Sequence, residues 1–231
     1  QSEDVKHPWK ESFTSTAVLA CAIAGFCQNW GLFNTLNMFP TFLKDALHYD
    51  LSSAGFLTTL PYVSAIKGLT VAGSLADRLQ VKGLQTATQV RRNFTCASFI
   101  VQLIFMLAGA LVLNPTAAII LMTIAVAMGS FAWAGYVVNL LDMSPKSAGV
   151  LMGVVGTFGT VADIVSPVAT GSLTASSLVE DWNVVFFVTA GLYLLGCVVY
   201  WFLASGELQP WSVEKRARNQ QNGLSAIKYS V

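Results

Sequence analysis

Charge is what this sequence has least of. Of 231 residues, 13 are Lys or Arg and 12 are Asp or Glu, so 11% are charged against 54% hydrophobic, with a mean hydropathy of +0.59. A soluble domain carries about 25% charged residues. So little charge excludes a water-facing shell around an apolar core, and equally a disordered or coiled-coil chain. The net charge is +1 and no basic run is interleaved with aromatics, which excludes nucleic acid as a partner. There are two histidines, His7 and His48, and four cysteines, Cys21, Cys27, Cys96 and Cys197, without CxxC or Cys/His spacing. A disulfide framework and a zinc site are therefore both unsupported. The chain opens Gln1-Ser2-Glu3-Asp4 with no charged-apolar-small leader, which reads as a segment of a longer protein.

What the sequence does have is long apolar runs. Crossing a bilayer core takes roughly 20 apolar residues in a helix, and only helices or closed barrels satisfy their backbone there. Six stretches qualify: 13–39, 53–76, 94–113, 116–140, 147–170 and 184–204. None shows the alternation of barrel strands, so the expected fold is an all-α membrane protein of six transmembrane helices. Residues 1–12 then form a linker, 13–205 the bundle and 206–231 a polar tail. Asn114-Pro115 and Ser144-Pro145 mark breaks between spans, and the short connections make neighbours antiparallel. Eleven of the thirteen basic residues fall on the side of the two termini. Only Lys44 lies opposite and Lys67 within a span, so the positive-inside rule places both termini in the cytoplasm. On that topology the sequon Asn93-Phe94-Thr95 is fortuitous.

The second span opens Ser53-Ala54-Gly55-Phe56-Leu57 and the fifth Ser147-Ala148-Gly149-Val150-Leu151; they close with Gly73-Ser74-Leu75 and Gly171-Ser172-Leu173. Copies three spans apart cross the membrane in opposite senses, the pattern of inverted three-plus-three repeats in secondary transporters.

Enzymatic alternatives lack their parts. No GxSG occurs, both histidines lie outside the spans, and Asp163 has no second intramembrane aspartate, so neither nucleophilic nor dyad catalysis is equipped. A six-helix water channel would need two Asn-Pro-Ala turns, and only Asn114-Pro115-Thr116 approaches one. The chain is not expected to be an enzyme or a channel.

Several segments carry a family resemblance. They include Asn29-Trp30, Leu60-Pro61, Ala76-Asp77, Val90-Arg91-Arg92, Asn139-Leu140-Leu141-Asp142 with Pro145 and Ala148-Gly149. Thr157-Phe158, Pro167, Trp182 with Val185-Phe186, and Gly206-Glu207-Leu208-Gln209-Pro210-Trp211 continue the series. In order and spacing the chain resembles the C-terminal half of the anion:cation symporters of the major facilitator superfamily. That group holds sialin, the vesicular glutamate transporters and the type I sodium-phosphate cotransporters. The resemblance implies twelve helices in the whole protein, alternating access around a midplane site, and transport of an organic or inorganic anion such as phosphate or sialic acid. It also implies coupling to protons or Na+, no other cofactor, and a plasma, vesicular or lysosomal membrane. The partners would be a small anionic substrate, the lipid bilayer and a missing N-terminal six-helix half. Two departures bear on substrate: the vesicular glutamate transporters have an arginine where Gln28 stands, and the family's histidine in the Asn-His-Leu-Asp stretch is here Leu140.

Charges inside lipid cost at least about 2.5 kcal/mol on insertion scales, so Lys67 and Asp163 are the first candidates. Lys67 shares a helical face with Ser64, Thr70, Val71 and Ser74 and either attracts an anion or snorkels. Asp163 lies on a small-residue face with Gly156, Gly159, Thr160, Ser166, Pro167 and Thr170 and either carries a coupling proton or is a buried, bonded acid. Helix rise puts the two about 10 to 15 Å apart in depth, too far for an ion pair. Gln28 and Asn29, with Asn34 and Asn37 further along, offer mid-span amides that either bind substrate or bridge helices; Asn139 is a gate or a helix-end cap. Gly73-Ser74-Leu75-Ala76-Asp77-Arg78 resembles the superfamily's cytoplasmic loop motif, where Asp77 and Arg78 would latch one conformation by charge against a helix dipole. Arg91 and Arg92 are expected to fix topology only. A rival reading is a non-transporting membrane module that binds or regulates a partner, since one half has nothing to rock against.

Overall fold

The computed structural model describes residues 9–45, 59–111, 114–175 and 178–212, and every regular element among them is helical. These are α1 (Trp9–Phe13), α2 (Thr16–Phe33), α3 (Phe39–Asp45), α4 (Leu60–Val81), α5 (Ala87–Leu111), α6 (Pro115–Ala132), α7 (Val138–Met143), α8 (Ala148–Leu173) and α9 (Val179–Leu203). A π-helical turn at Asn34–Met38 joins α2 to α3 into the first span, and another at Trp133–Val137 joins α6 to α7 into the fourth. The second, third, fifth and sixth spans are α4, α5, α8 and α9.

Local chemistry sets the ends. Asn114 caps α6, its side chain accepting the Ala117 N–H at 3.2 Å, with Pro115 in the first turn. A reciprocal capping box starts α5: Thr86 Oγ1 accepts from Gln89 N and Gln89 Oε1 from Thr86 N. That box begins the third span seven residues before the apolar run expected at 94. It also places Asn93 within the helix, its amide donating to Gln85 Oε1, with Thr95 of the sequon fully buried. α4 runs on to Val81 and stops at Gly83, whose φ of +65° allows Leu84 N–H to reach the Leu79 carbonyl and Gly83 N–H that of Gln80. The paired closings at Gly73-Ser74-Leu75 and Gly171-Ser172-Leu173 are therefore not equivalent, since only α8 ends there. The opening copy at 53–57 lies outside the described residues.

Packing shows the repeat more plainly than the motifs do. The first span packs along the fifth, and the fourth along the second. The first span also packs on the sixth, the fourth on the third, and the third and sixth against each other. Advancing every span by three maps this pattern onto itself. α2 and α6 are each 18 residues long and each is followed by a five-residue π-helical turn, so the irregularity itself recurs.

Among the described residues, five helical segments are long and apolar enough to cross a membrane: Thr16–Lys44, Ala87–Gly109, Pro115–Met143, Pro145–Leu173 and Glu180–Leu203. α4 is not among them; Lys67, Asp77 and Arg78 dilute its apolar content. Together the six spans form the six-helix bundle expected from the sequence. The first part of the expected tail is packed rather than loose. Gly206 N–H donates to Thr88 Oγ1 and Gln209 N–H to the Met143 carbonyl, each at 3.0 Å, and Trp211 is buried in the core cluster.

Candidate functional site

Three cavities open on one side of the bundle. The first, of 320 Å³, is lined by Gln28, Leu32 and Leu36 of the first span, Ala65, Ile66 and Leu69 of α4, and Ser130 and Trp133 of the fourth span. The second, of 240 Å³, lies between Asn29, Trp133, Tyr136, Gly156, Thr160 and Asp163. The third, of 280 Å³, joins Asn29, Asn37, Tyr62 and Asp163. Shared walls make them one concave surface. Trp133 borders the first two, Leu32 and Leu36 the first and third, and Asn29 with Asp163 the second and third. The first, second, fourth and fifth spans build it, whereas the third and sixth stand behind. Ile66 (70% exposed) and Leu69 (51%) show that the chain itself leaves this side uncovered.

Gln28 and Asn29 have different surroundings. Gln28 is fully buried, and its amide pairs with that of Gln102: Gln102 Nε2 donates to Gln28 Oε1 at 3.0 Å and Gln28 Nε2 to Gln102 Oε1 at 3.4 Å. Tyr193 OH also donates to Gln102 Oε1 (2.9 Å), and Ser98 donates to the Met128 carbonyl (2.7 Å), so the network ties the first, third, fourth and sixth spans. Gly129 is required beside it, since a Cβ there would stand 2.9 Å from Gln102 Oε1 and 3.0 Å from Gln28 Nε2. Gln28 thus forms part of a cavity wall while presenting no accessible surface to it. Asn29 makes one bond, Nδ2 to the Gly25 carbonyl at 2.8 Å, and faces the cavity. Asn34 is engaged through both amide atoms: Nδ2 donates to Thr189 and Oδ1 accepts from Ser166 and Thr170.

Asp163 is half-buried, lines two of the three cavities, and has no hydrogen-bond or ionic partner among the described residues. Lys67 is exposed and borders none of the three. The stripe expected around it divides: Ser64 turns inward to the Thr123 carbonyl (3.1 Å), while Thr70 and Ser74 bond back to their own helix. Asp77 and Arg78 are exposed near the end of α4, with no side-chain hydrogen bond or ion pair to another span among the described residues. Asn139 is buried, donating to Tyr200 OH at 3.0 Å and lying 3.7 Å from Cys21 Sγ, away from all three cavities.

Two features escaped the sequence reading. Arg91, expected to be a topological charge, is 5% exposed; its Nε lies 2.7 Å from Asp142 and its Nη1 donates to the Ala134 carbonyl at 2.9 Å. Arg92 donates to the Ala204 carbonyl at the end of α9. The basic pair therefore locks helix ends together at the basic end of the bundle. The signal was present, since both partners of the ion pair sit in family-matching segments, but nothing in the sequence joins them. The aromatic wall of Tyr62, Trp133 and Tyr136 also went unnoticed because aromatics are ordinary in apolar spans.

The comparisons agree with this architecture. Residues 21–229 match the family model described as Major Facilitator Superfamily. An uncharacterized transporter of Caenorhabditis elegans, slc-17.2, is 35% identical over 207 residues, covering 89% of this chain and 42% of the relative. Human sialin is 31% identical with the same coverage. Vesicular glutamate transporter 2.2 of Danio rerio is 31% identical over 222 residues, 96% of this chain and 38% of its own length. The chain thus spans about two-fifths of the length of the curated relatives it matches. Within the superfamily it is similar to the sialin and vesicular glutamate transporter group expected from its motifs. A half-bundle with an internal inverted repeat, a cavity open on its uncovered side and a family match over most of its length lead to one conclusion: this multi-pass membrane chain belongs to the Major Facilitator Superfamily.

Proposed function

We propose that the chain is the C-terminal six-span half of a secondary active transporter that moves a small organic or inorganic anion by alternating access, coupled to a proton or Na+ gradient. One observation carries this reading. The polar concavity lined by Asn29, Asn37, Thr160 and Asp163 opens on the face that the chain leaves uncovered, where a second half would close it. In this reading the Gln28–Gln102–Tyr193 network and the Arg91–Asp142 pair keep the half rigid enough to rock as a body. Asn139 with Tyr200 belongs to the same frame. Lys67, Asp77 and Arg78 face outward and would meet the other half or the membrane surface. The basic end, with both termini, lies in the cytoplasm.

The test is uptake of labelled phosphate, sialic acid and glutamate into proteoliposomes with imposed proton or Na+ gradients. The full-length protein is expected to accumulate one of these anions and the isolated chain none. Absence of accumulation by folded full-length protein under every gradient would favour a non-transporting module.

A further inference from the structure

We propose that Asp163, Asn29 and Thr160 form a binding site for a small, hard, monovalent cation of the sodium class. Its role in transport rests on the function proposed above; the binding itself does not.

The argument is one of donors already used. Asn29 Nδ2 donates to the Gly25 carbonyl, a group that can only accept, so the amide orientation is fixed and Oδ1 is left without a donor. Gly159 makes this placement possible, because a Cβ there would run into the Asn29 amide. Thr160 gives its hydroxyl proton to the Gly156 carbonyl at 3.0 Å, which leaves its oxygen lone pairs for the cavity. Asp163 supplies a carboxylate with no partner among the described residues. Four residues on, Pro167 stands inside α8 without an N–H, so the Asp163 main-chain carbonyl also lacks its helical donor. Side-chain oxygens of acceptor character from Asn29, Thr160 and Asp163 thus share one cavity of 240 Å³, and Asp163 is the sole charged residue in its wall.

The chemistry of the set selects its ligand. Oxygen-only ligation suits hard cations, and no group of three His, Cys, Asp or Glu among the described residues could hold a transition metal. A single carboxylate balances one positive charge, whereas a divalent ion would leave a net charge in a region where charge is costly. Tyr62 from α4 and Tyr136 from the fourth span are the other titratable side chains facing Asp163 across these cavities. The same carboxylate opposes an incoming anion until a cation neutralises it. Cation occupancy would therefore precede anion binding, which couples the two.

The experiment uses the full-length protein carrying this chain, in nanodiscs, titrated with NaCl against choline chloride at constant ionic strength and at two pH values either side of neutrality. Tryptophan fluorescence, to which Trp133 in the same wall contributes, and the thermal midpoint are both read. The expected result is a saturable Na+ response in both. Asp163→Asn should lower the apparent Na+ affinity by about tenfold or more, and Thr160→Val by a smaller factor. Gel filtration of the near-isosteric Asp163→Asn protein controls for folding. No Na+ response in folded wild type, a response unchanged in Asp163→Asn, or a response to pH but not to Na+ each overturns the proposal, the last in favour of a proton site. Na+ saturation without anion uptake would sink the transport reading alone, and uptake without Na+ saturation would sink this one alone.

Discussion

Gln28 and Asn29 are consecutive residues of one helix, and they meet opposite fates. Gln28 turns into the bundle, where its amide is paired with Gln102 and sealed by Gly129. Asn29, about 100° further round the helix, turns to the cavity with an unused acceptor beside an unpartnered Asp163. Interior polarity in this membrane protein is therefore of two kinds. One is satisfied within the chain and holds spans together; the other is left open and needs something the chain does not supply. The open set is only partly buried and lies on the uncovered face, where a ligand can reach it.

The contrast is broken most severely at the Arg91–Asp142 pair, the extreme of the satisfied kind. Arg91→Ala leaves Asp142 without its counter-charge and the Ala134 carbonyl without its donor. Asp142 keeps some solvent access, with 24% of its side chain exposed. The expected loss is accordingly about 2–3 kcal/mol, below the full cost of stranding a buried charge. Thermal unfolding in detergent measures it, and Arg91→Met with Asp142→Leu should recover part of the loss. A destabilisation as small as that of a surface pair would remove Arg91 from the frame.

Next comes Gln102→Leu, which strands the Gln28 amide and the Tyr193 hydroxyl together and should cost about 1–3 kcal/mol. Gln28→Leu should cost less, because Gln102 keeps Tyr193 and Ser98 as partners. Equal losses for the two would show that the network is not centred on Gln102. Asn139→Leu removes the bond to Tyr200 and should cost about 0.6 kcal/mol, the average for an interhelical bond within a membrane.

The two kinds of polar residue were not separable in the sequence, and the reason is geometric. Apolar runs fix depth along the membrane normal, which is why six spans, the Asn114-Pro115 break and the charges of Lys67 and Asp163 were legible. They do not fix rotation about the helix axis, because a span apolar on all sides has no polar-outward stripe. Gln28 meets its partner 74 residues away and Arg91 meets Asp142 51 residues away; only packing brings such pairs together. The π-helical turns carry no breaker signal in Asn34–Met38, so their recurrence in the first and fourth spans was likewise hidden. By contrast, the small-residue face around Asp163 was visible, and Gly159 proves to be the glycine that admits Asn29.

Asn29→Leu should give the smallest stability change of all, within about 0.5 kcal/mol. It removes only a bond from the side chain to the carbonyl four residues earlier on the same helix, and that carbonyl is already engaged by the helical backbone. The leucine covers Gly159 with a side chain of similar shape. Function is expected to move the other way: gradient-driven anion uptake by the full-length protein should be lost in Asn29→Leu and largely kept in Gln28→Leu. Unfolding curves and uptake measured on both variants thus form a crossed pair. If Asn29→Leu destabilised the protein as much as Gln28→Leu while sparing uptake, Asn29 would be another helix-packing amide, and Thr160 and Asp163 would be left as the polar residues that serve the cavity.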